Sequence, residues 1–320
     1  MRAPAFWQSD GFLPLLLSPL ARVYAGATAA RVARPGWRAP VPVICCGNAT
    51  AGGAGKTTLA LDLGARLASH GVALAFLTRG YGGHERGPLR VEPGHDARAV
   101  GDEALLLAER APTYVAADRA AGARMAIEAG AQVLVMDDGL QNPTLAKDFS
   151  FLLIDGAEGF GNGRVVPAGP LREPISAAAA RCQAAVLIGA DVRNAARMLP
   201  ASLPALRASL QTLTDNLPRQ PLFAFAGIGR PAKFFATLEA AEFQIAGRQE
   251  FPDHHFYSPG ELRGLLETAA RLGALPVTTP KDAVRLPPEM RHSISVAGVR
   301  LLWENPDGIE DILSCLVVKT

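Results

Sequence analysis

The sequence is short of cysteine and of excess charge, and no internal repeat or low-complexity tract interrupts it. Four cysteines occur in 320 residues, and none forms a Cys-x-x-Cys pair. This shortage argues against a disulfide framework and a zinc site, and it fits a reducing compartment. Lysine and arginine number 32 against 30 aspartates and glutamates, so charge alone indicates no nucleic-acid partner.

No dense apolar run reaches the roughly 20 residues that span a bilayer. The densest run lies near the N-terminus and is about ten residues long. An apolar stripe at helical spacing continues it. The stripe consists of Leu13, Leu16, Leu17, Leu20, Val23, Tyr24 and Ala27. Because Pro14 and Pro19 interrupt the stripe, we expect two short helical pieces or one kinked helix.

Two interpretations of this N-terminal segment, residues 1–40, stay open. It is either a helix packed on its own domain or an interfacial helix that dips into a membrane. In the second case the arginines that follow would lie near lipid headgroups. They are Arg22, Arg31, Arg34 and Arg38. A signal peptide is disfavoured because Asp10 stands beside the apolar run.

What the chain does have, from residue 41 onward, is an alternation of short apolar runs with helical stretches. The runs are VPVICCG, VALAFLTRG, PTYVAA, QVLVMDD, FSFLLID and AAVLIG. Continuous Val/Leu/Ile runs are typical of strands buried on both faces. The pattern therefore predicts an α/β fold of the P-loop NTPase type, with a doubly wound, mostly parallel sheet.

A proline-rich stretch without clear periodicity, near residues 200–220, indicates a domain boundary. After it, PLFAFAGIGRPAKFFATLEAA predicts a strand, a glycine turn and a helix, and further short strands follow. We therefore predict a nucleotide-binding domain over residues 41–215 and a smaller α/β domain over residues 216–320.

The stretch NATAGGAGKTT follows the first predicted strand and resembles a phosphate loop, in which backbone N–H groups surround an anion. In such a loop the lysine reaches the β- and γ-phosphates and the threonine hydroxyl binds Mg²⁺. Thr50 stands where the usual pattern has its first glycine, which still leaves the adjacent glycines to close the loop. The predicted ATP-binding residues are Thr50, Ala51, Gly52, Gly53, Ala54, Gly55, Lys56 and Thr57.

A second motif supports this prediction. The run QVLVMDD ends in Asp137 and Asp138, and ligands bind at the carboxyl ends of parallel strands. Because hard cations prefer oxygen ligands, we predict a Mg²⁺ site formed by Thr57, Asp137 and Asp138.

Seven motifs in order resemble the tetraacyldisaccharide 4′-kinase family, which acts in lipid A biosynthesis of Gram-negative bacteria. They are GNATAGGAGKTT, LTRGYGG, GDEALLLA, MDDGLQN, PAGPLREP, FPDHHFYS and TTPKDAVRL. The resemblance implies transfer of the γ-phosphoryl of ATP to the 4′-hydroxyl of a tetraacyldisaccharide 1-phosphate, giving lipid IVA. It also implies attachment to the cytoplasmic face of the inner membrane.

The resemblance implies roles for individual residues. Asp102 is the catalytic base, His254 is its partner, and Lys56 acts on the phosphates. Further active-site candidates are Arg79, Glu103, Gln141, Arg172 and Glu173. Asn142 departs from the family, which usually has histidine there.

Alternatives remain for the residues and for the function. Taken alone, Asp102 and Glu103 suit the first turn of a helix as caps, and Arg79 suits a surface position. A phosphate-loop kinase of a soluble molecule is one alternative function. The other is a membrane-recruited switch ATPase, which Ala51 disfavours because such enzymes carry a lysine there.

Overall fold

The computed structural model describes residues 4–214 and 217–317, in which the strands form a nine-stranded large sheet and a four-stranded small sheet. The strands are β1 (Val43–Gly47), β2 (Leu74–Thr78), β3 (Leu89–Arg90), β4 (Thr113–Val115), β5 (Val133–Asp137), β6 (Phe149–Asp155), β7 (Ala184–Ile188), β8 (Ala205–Leu213), β9 (Leu222–Ala226), β10 (Ile245–Glu250), β11 (Leu275–Thr278), β12 (Ser295–Val296) and β13 (Gly298–Trp303). The α-helices are α1 (Phe12–Val32), α2 (Lys56–Ser69), α3 (Ala97–Val100), α4 (Asp102–Ala108), α5 (Arg119–Glu128), α6 (Ile175–Ala179), α7 (Pro231–Ala240), α8 (Pro259–Arg271), α9 (Pro280–Ala283) and α10 (Pro306–Val317). Short 3₁₀ helices cover Ala5–Gln8, Ala195–Met198 and Pro288–Ser293.

The large sheet has the strand order β13-β8-β7-β6-β1-β5-β2-β4-β3. Its inner strands are parallel, and only the edge pairs β13–β8 and β3–β4 are antiparallel in the described residues. In the central strand, Ile44 pairs in register with Val135 on one side and Phe149 on the other. The predicted mostly parallel α/β sheet is confirmed.

Both faces of the large sheet are buried, because neighbouring residues of a strand point to opposite sides. In β1, Cys45 belongs to one apolar cluster, which contains Leu134 and Met136 of β5. Ile44 belongs to the other, with Val135 and the helix residues Leu59, Leu63 and Leu67 of α2. This two-sided burial is the physical reason why the strands read as continuous apolar runs.

The small sheet has the order β10-β9-β11-β12, and all its strands are parallel. The strand, glycine turn and helix predicted after residue 220 are present as β9 and α7. The predicted domain boundary, between residues 215 and 216, lies outside the described residues.

The end of the chain differs from the prediction. Residues 216–320 were predicted to form one smaller unit, but β13 pairs antiparallel with β8 at the edge of the large sheet. Helix α10 follows it there and buries Ile309 and Leu313 in the same cluster as Leu59. Strand β8 itself lies in the stretch that was read as a boundary. The small sheet is therefore an insertion between two strands of the large sheet.

Helix α1 is one continuous helix with Pro19 inside it, rather than two pieces. By length and composition this helix could cross a membrane. Its most apolar 18-residue stretch is 17% buried inside the protein. Ala21 packs into the core of the large sheet. Most of the predicted stripe lies on the opposite, exposed side. The large exposed apolar residues of α1 are Phe12, Leu13, Leu15, Leu16, Leu20, Val23 and Tyr24.

Candidate active site

The glycine-rich loop joins the carboxyl end of β1 to the start of α2. Gly55, directly before Lys56, has a φ of 85°, a left-handed conformation that favours glycine. A β-carbon at Gly55 would also lie 2.7 Å from Cδ1 of Ile188. The Ala51 N–H donates to the carbonyl of Pro170 (2.7 Å), which fixes the loop against the PAGPLREP segment.

Thr50, which replaces the usual glycine, is bonded to the fully buried Asn48. The Asn48 amide donates to Thr50 Oγ1 (3.0 Å) and to the Gly52 carbonyl (3.3 Å), and its oxygen accepts from Lys56 Nζ (3.2 Å). These bonds hold the Lys56 ammonium against the loop. Asn48 was not among the predicted site residues, because its partners become visible only when the loop is folded.

The two aspartates that follow β5 are divided between different partners. Thr57 Oγ1 donates to Asp137 Oδ2 (2.9 Å). Asp138 instead accepts from Arg172 Nη1 (2.8 Å) and lies 3.7 Å from Lys56 Nζ. Burial raises the pKa of Asp137. Burial acts the same way on Asp138, but Lys56 and Arg172 outweigh it and lower that pKa.

Gln141 and Glu173 extend this network behind the loop. The Gln141 amide donates to the Asn48 carbonyl and to Glu173 Oε1, both at 2.9 Å. Arg181 Nη2 donates to both oxygens of Glu173 at 2.7 Å. Glu173 is almost fully buried, with 3% of it exposed, and these bonds hold its carboxylate in one orientation. Sequence analysis did not predict Arg181, which follows α6 in an alanine-rich stretch without a motif.

A second group of ionisable residues lies where the small sheet meets α4. His254, in the loop after β10, donates from Nδ1 to Asp102 Oδ2 (3.0 Å). Asp102 is the first residue of α4 and is 2% exposed. Its neighbour Glu103 accepts a hydrogen bond from Lys281 of α9. The helix cap is Gly101, so Asp102 lies in the first turn without acting as the capping residue.

The environments of these groups favour the charged form of the Asp102–His254 pair. Burial alone would raise the pKa of Asp102, but the hydrogen bonds with His254 and Glu103, together with the charges of Lys281 and His254, outweigh it and lower the pKa. The same bond raises the pKa of His254. Burial, followed by the hydrogen bond with Asp102, raises the pKa of Glu103 to about 7.

Lys281 lies close to both groups. Its ammonium is bonded to Glu103 and helps to lower the pKa of Asp102. It is also a minor cause that lowers the pKa of Lys56 and of Asp137. Lys281 lies in the first turn of α9, whose cap is Thr279.

Two residues named from the sequence, Arg79 and Asn142, lie outside the hydrogen-bond networks just described. Arg79 is exposed directly after β2. Asn142, at the position of the usual histidine, accepts from the backbone N–H (3.0 Å) and hydroxyl (2.9 Å) of Thr144. Asn142 thus stabilises its own turn.

A strand, a glycine-rich loop with lysine and threonine at the helix start, and an aspartate on the neighbouring strand form the phosphate-binding arrangement of one enzyme class. Fold and site together define a phosphate-loop kinase. A family model described as tetraacyldisaccharide-1-P 4′-kinase matches residues 13–317. The chain belongs to that family.

Proteins of known name match this chain over nearly their whole length. A tetraacyldisaccharide 4′-kinase of Gluconacetobacter diazotrophicus is 56% identical over 324 residues, which cover 100% of this chain and 99% of that protein. The protein of the same name from Rhodospirillum centenum is 52% identical, over 99% of this chain and 97% of its own.

A solved structure is similar in fold. It is the "apo" form of LpxK from Aquifex aeolicus in complex with ATP, with a TM-score of 0.77. The match covers 96% of this chain and 100% of that chain at 24% identity. At that identity the likeness supports the fold of the large and small sheets.

Proposed function

We propose that this protein transfers the γ-phosphoryl group of ATP to the 4′-hydroxyl of a tetraacyldisaccharide 1-phosphate, giving lipid IVA. The carrying observation is that one fold holds a phosphate loop, with Thr57 bonded to Asp137, and a buried Asp102 bonded to His254. The identity of the proposed acceptor follows from family membership and from the names of the relatives.

In this proposal the loop amides and Lys56 bind the β- and γ-phosphates of ATP. Transfer through a loose transition state depends mainly on positioning and on neutralising charge. The Lys56 ammonium is already directed into the loop by Asn48. Arg172, bonded to Asp138, adds a second cation beside it.

The residues also fit a Mg²⁺ ion. Asp137 Oδ1 is buried and lacks a hydrogen-bond partner among the described residues, while Oδ2 accepts from Thr57. In the described part of the chain, no group of three or more His, Cys, Asp or Glu could hold a metal. Mg²⁺ suits such a site, since it is usually bound through one or two carboxylates with substrate phosphates and water. Thr57 and Asp137 would hold it, with Asp138 close by, and its chemistry there is neutralisation of phosphate charge.

Asp102 accepts the proton of the 4′-hydroxyl in this proposal. As the oxygen forms its bond to the γ-phosphorus, the bond from that phosphorus to the β–γ bridging oxygen breaks, and ADP leaves. His254 holds the carboxylate in place and shares the proton. A carboxylate within hydrogen-bond reach of the acceptor is the type of base that the reaction needs.

The remaining candidates take supporting roles. Gln141 holds the loop and Arg172 in position, since it donates to the Asn48 carbonyl and accepts from Arg172. Glu173 in turn holds the Gln141 amide. Glu103 positions Lys281 beside Asp102. Arg79, exposed at the end of β2, contacts a phosphate or headgroup of the lipid.

We also propose that residues 1–40 attach the protein to the cytoplasmic face of the bacterial inner membrane. An acylated acceptor stays in the membrane, so the enzyme has to reach it there. The exposed apolar side of α1 and the arginines beyond it suit an anionic lipid surface. In this proposal the nucleotide lies on the large sheet, and the lipid acceptor lies between the large sheet and the small sheet.

The test is to incubate the protein with γ-labelled ATP and vesicles that contain a tetraacyldisaccharide 1-phosphate. We expect label in the lipid from the wild-type protein and from Arg197→Ala, a control at an exposed arginine. Lys56→Ala should lose that activity. Label transferred to a water-soluble alcohol instead would identify a soluble-substrate kinase. Label released only as phosphate would identify a switch ATPase.

A further inference from the structure

A buried polar network lies behind the His254 loop. The Asp282 carboxylate is fully buried and accepts four hydrogen bonds. Its donors are the Gly227 N–H (2.8 Å), Tyr257 OH (2.7 Å), Thr279 Oγ1 (2.6 Å) and Arg285 Nη2 (3.0 Å). The buried charge of Asp282 is thereby compensated, as such charges require.

Arg285 connects this network to Asp102. Its side chain is 1% exposed, and its Nη1 donates to the carbonyls of Gly227 (3.0 Å) and His255 (3.2 Å). Its Nε donates to the Lys281 carbonyl (2.9 Å) and lies 3.7 Å from Asp102 Oδ2. One guanidinium group thus contacts the loop that carries His254 and faces the carboxylate that His254 binds.

The backbone at His254 needs such support. Its φ is 59°, in the left-handed region that non-glycine residues rarely adopt. This conformation is strained and persists only where the surroundings hold it. The His254 N–H donates to the carbonyl of Gly227 (3.0 Å), the same oxygen that accepts from Arg285.

We propose that Arg285 is a positioning residue for proton transfer. It fixes the His254 loop through two carbonyl oxygens and keeps Asp102 ionised through its charge, while Asp282 anchors the guanidinium. The proposal rests on the proposed function, in which Asp102 is the base, and it adds two residues to which no role in that reaction has been given.

The charge effect has a definite sign. The Arg285 cation favours the Asp102 carboxylate and disfavours a protonated His254, so its removal raises both apparent pKa values. The two residues titrate as a pair, so the pH profile reports values that belong to both. The other groups that face the pair are Glu103, Lys281, Asp253 and the ring of Tyr81.

The experiment compares kcat/KM against pH for Arg285→Lys, for Arg285→Gln and for the double variant Asp282→Asn/Arg285→Gln. The double variant removes both charges, so neither is left buried and unpaired. Arg291→Gln is the matched control, because among the described residues the side chain of that arginine donates to the carbonyls of Leu286 and Val284 and not to the Asp102–His254 pair. The imidazole titration of His254 is followed by NMR in each variant.

We expect the acidic limb of the profile and the His254 titration to move up by roughly one pH unit in Arg285→Gln. The shift should be smaller in the double variant, because that variant also loses the opposing charge of Asp282. Arg285→Lys keeps the charge but lacks the planar fork, so the limb should stay in place while kcat falls roughly 10- to 100-fold. KM for ATP should stay unchanged. If Arg285→Gln does not fold, the double variant decides the charge effect and Arg285→Lys decides the positioning effect.

A folded double variant with an unmoved limb and an unmoved His254 titration overturns the charge role. Wild-type kcat in Arg285→Lys overturns the positioning role, and an equal shift in Arg291→Gln overturns both. The NMR titration needs no substrate. If wild-type protein fails to label the lipid but the His254 titration still shifts, the proposed function is wrong while the electrostatic link stands.

Discussion

Replacing Asp102 with asparagine separates a catalytic base from a purely structural carboxylate. Asparagine keeps the shape and the hydrogen-bond acceptor toward His254, but it loses the charge and the ability to take a proton. If Asp102 is the base, kcat should fall by roughly 10²–10⁴-fold. That loss corresponds to about 3–5 kcal/mol of transition-state stabilisation.

The cost in stability should be much smaller. Removing one partner of a buried ion pair costs up to about 3–5 kcal/mol. Here Arg285 keeps Asp282 at 3.0 Å, and 31% of the His254 side chain is exposed, so its charge remains partly solvated. We therefore expect a loss of about 1–2 kcal/mol, typical of one net hydrogen bond to a charged group.

That loss should depend on pH. The raised pKa of His254 means that the pair's contribution is fully present below about 6.5, the unfolded value, and is lost as pH rises through the folded pKa. The difference in Tm between wild type and Asp102→Asn should therefore be largest at pH 5–6, roughly, and smaller in alkaline solution.

The assay combines single-turnover labelling of the lipid with thermal unfolding and an ATP-binding titration. Glu85→Gln is a matched control, because Glu85 is an acidic residue outside the Asp102 network. A folded, ATP-binding Asp102→Asn protein with near-wild-type turnover would show that the carboxylate is not the base. Equal Tm differences at all pH values would refute the proposed coupling to His254.

Three further changes test other parts of the site. Lys56→Ala should cost on the order of 2–4 kcal/mol in kcat/KM, measured by lipid labelling, and normal turnover would contradict the phosphate-loop role. Thr57→Val should raise the Mg²⁺ concentration for half-maximal activity by roughly tenfold, which a Mg²⁺ titration checks. Leu16→Gln with Leu20→Gln, at positions 60% and 59% exposed, should release the protein from sedimenting vesicles without lowering its Tm; continued sedimentation would place attachment elsewhere.

The sequence predicted the parts of the fold that depend on local pattern. Six apolar runs before residue 190 became strands of the large sheet because two-sided burial requires continuous apolar residues. It missed β8, whose apolar residues alternate with polar ones, as expected where one face is less covered. The sequence also placed β13 in the smaller unit, because the residues of a strand do not by themselves determine which sheet edge it joins.

The residues of the candidate site could likewise be predicted only where a local sequence pattern defines them. Residues within motifs, such as Lys56 and Asp137, could be located because each motif has a fixed spacing to its strand or helix. Asn48, Arg181 and Arg285 could not, because their roles depend on contacts that only the fold brings together. Arg285 is the clearest case: it lies in a recognised motif, but its partner Asp102 is far away in the chain.

The proposed base and its partner lie in different parts of the fold. Asp102 is carried by α4 and His254 by the loop after β10, so the pair exists only while the two parts are in contact. A second contact joins them near the loop, where Arg230 bonds to Asp155 and Glu158 and reaches the Gly53 carbonyl at 3.4 Å. Partly exposed ion pairs of this kind contribute about 0–1 kcal/mol each. Arg285 instead lies almost fully buried 3.7 Å from Asp102, so the contact at the proposed base is less screened by solvent than the one at the loop.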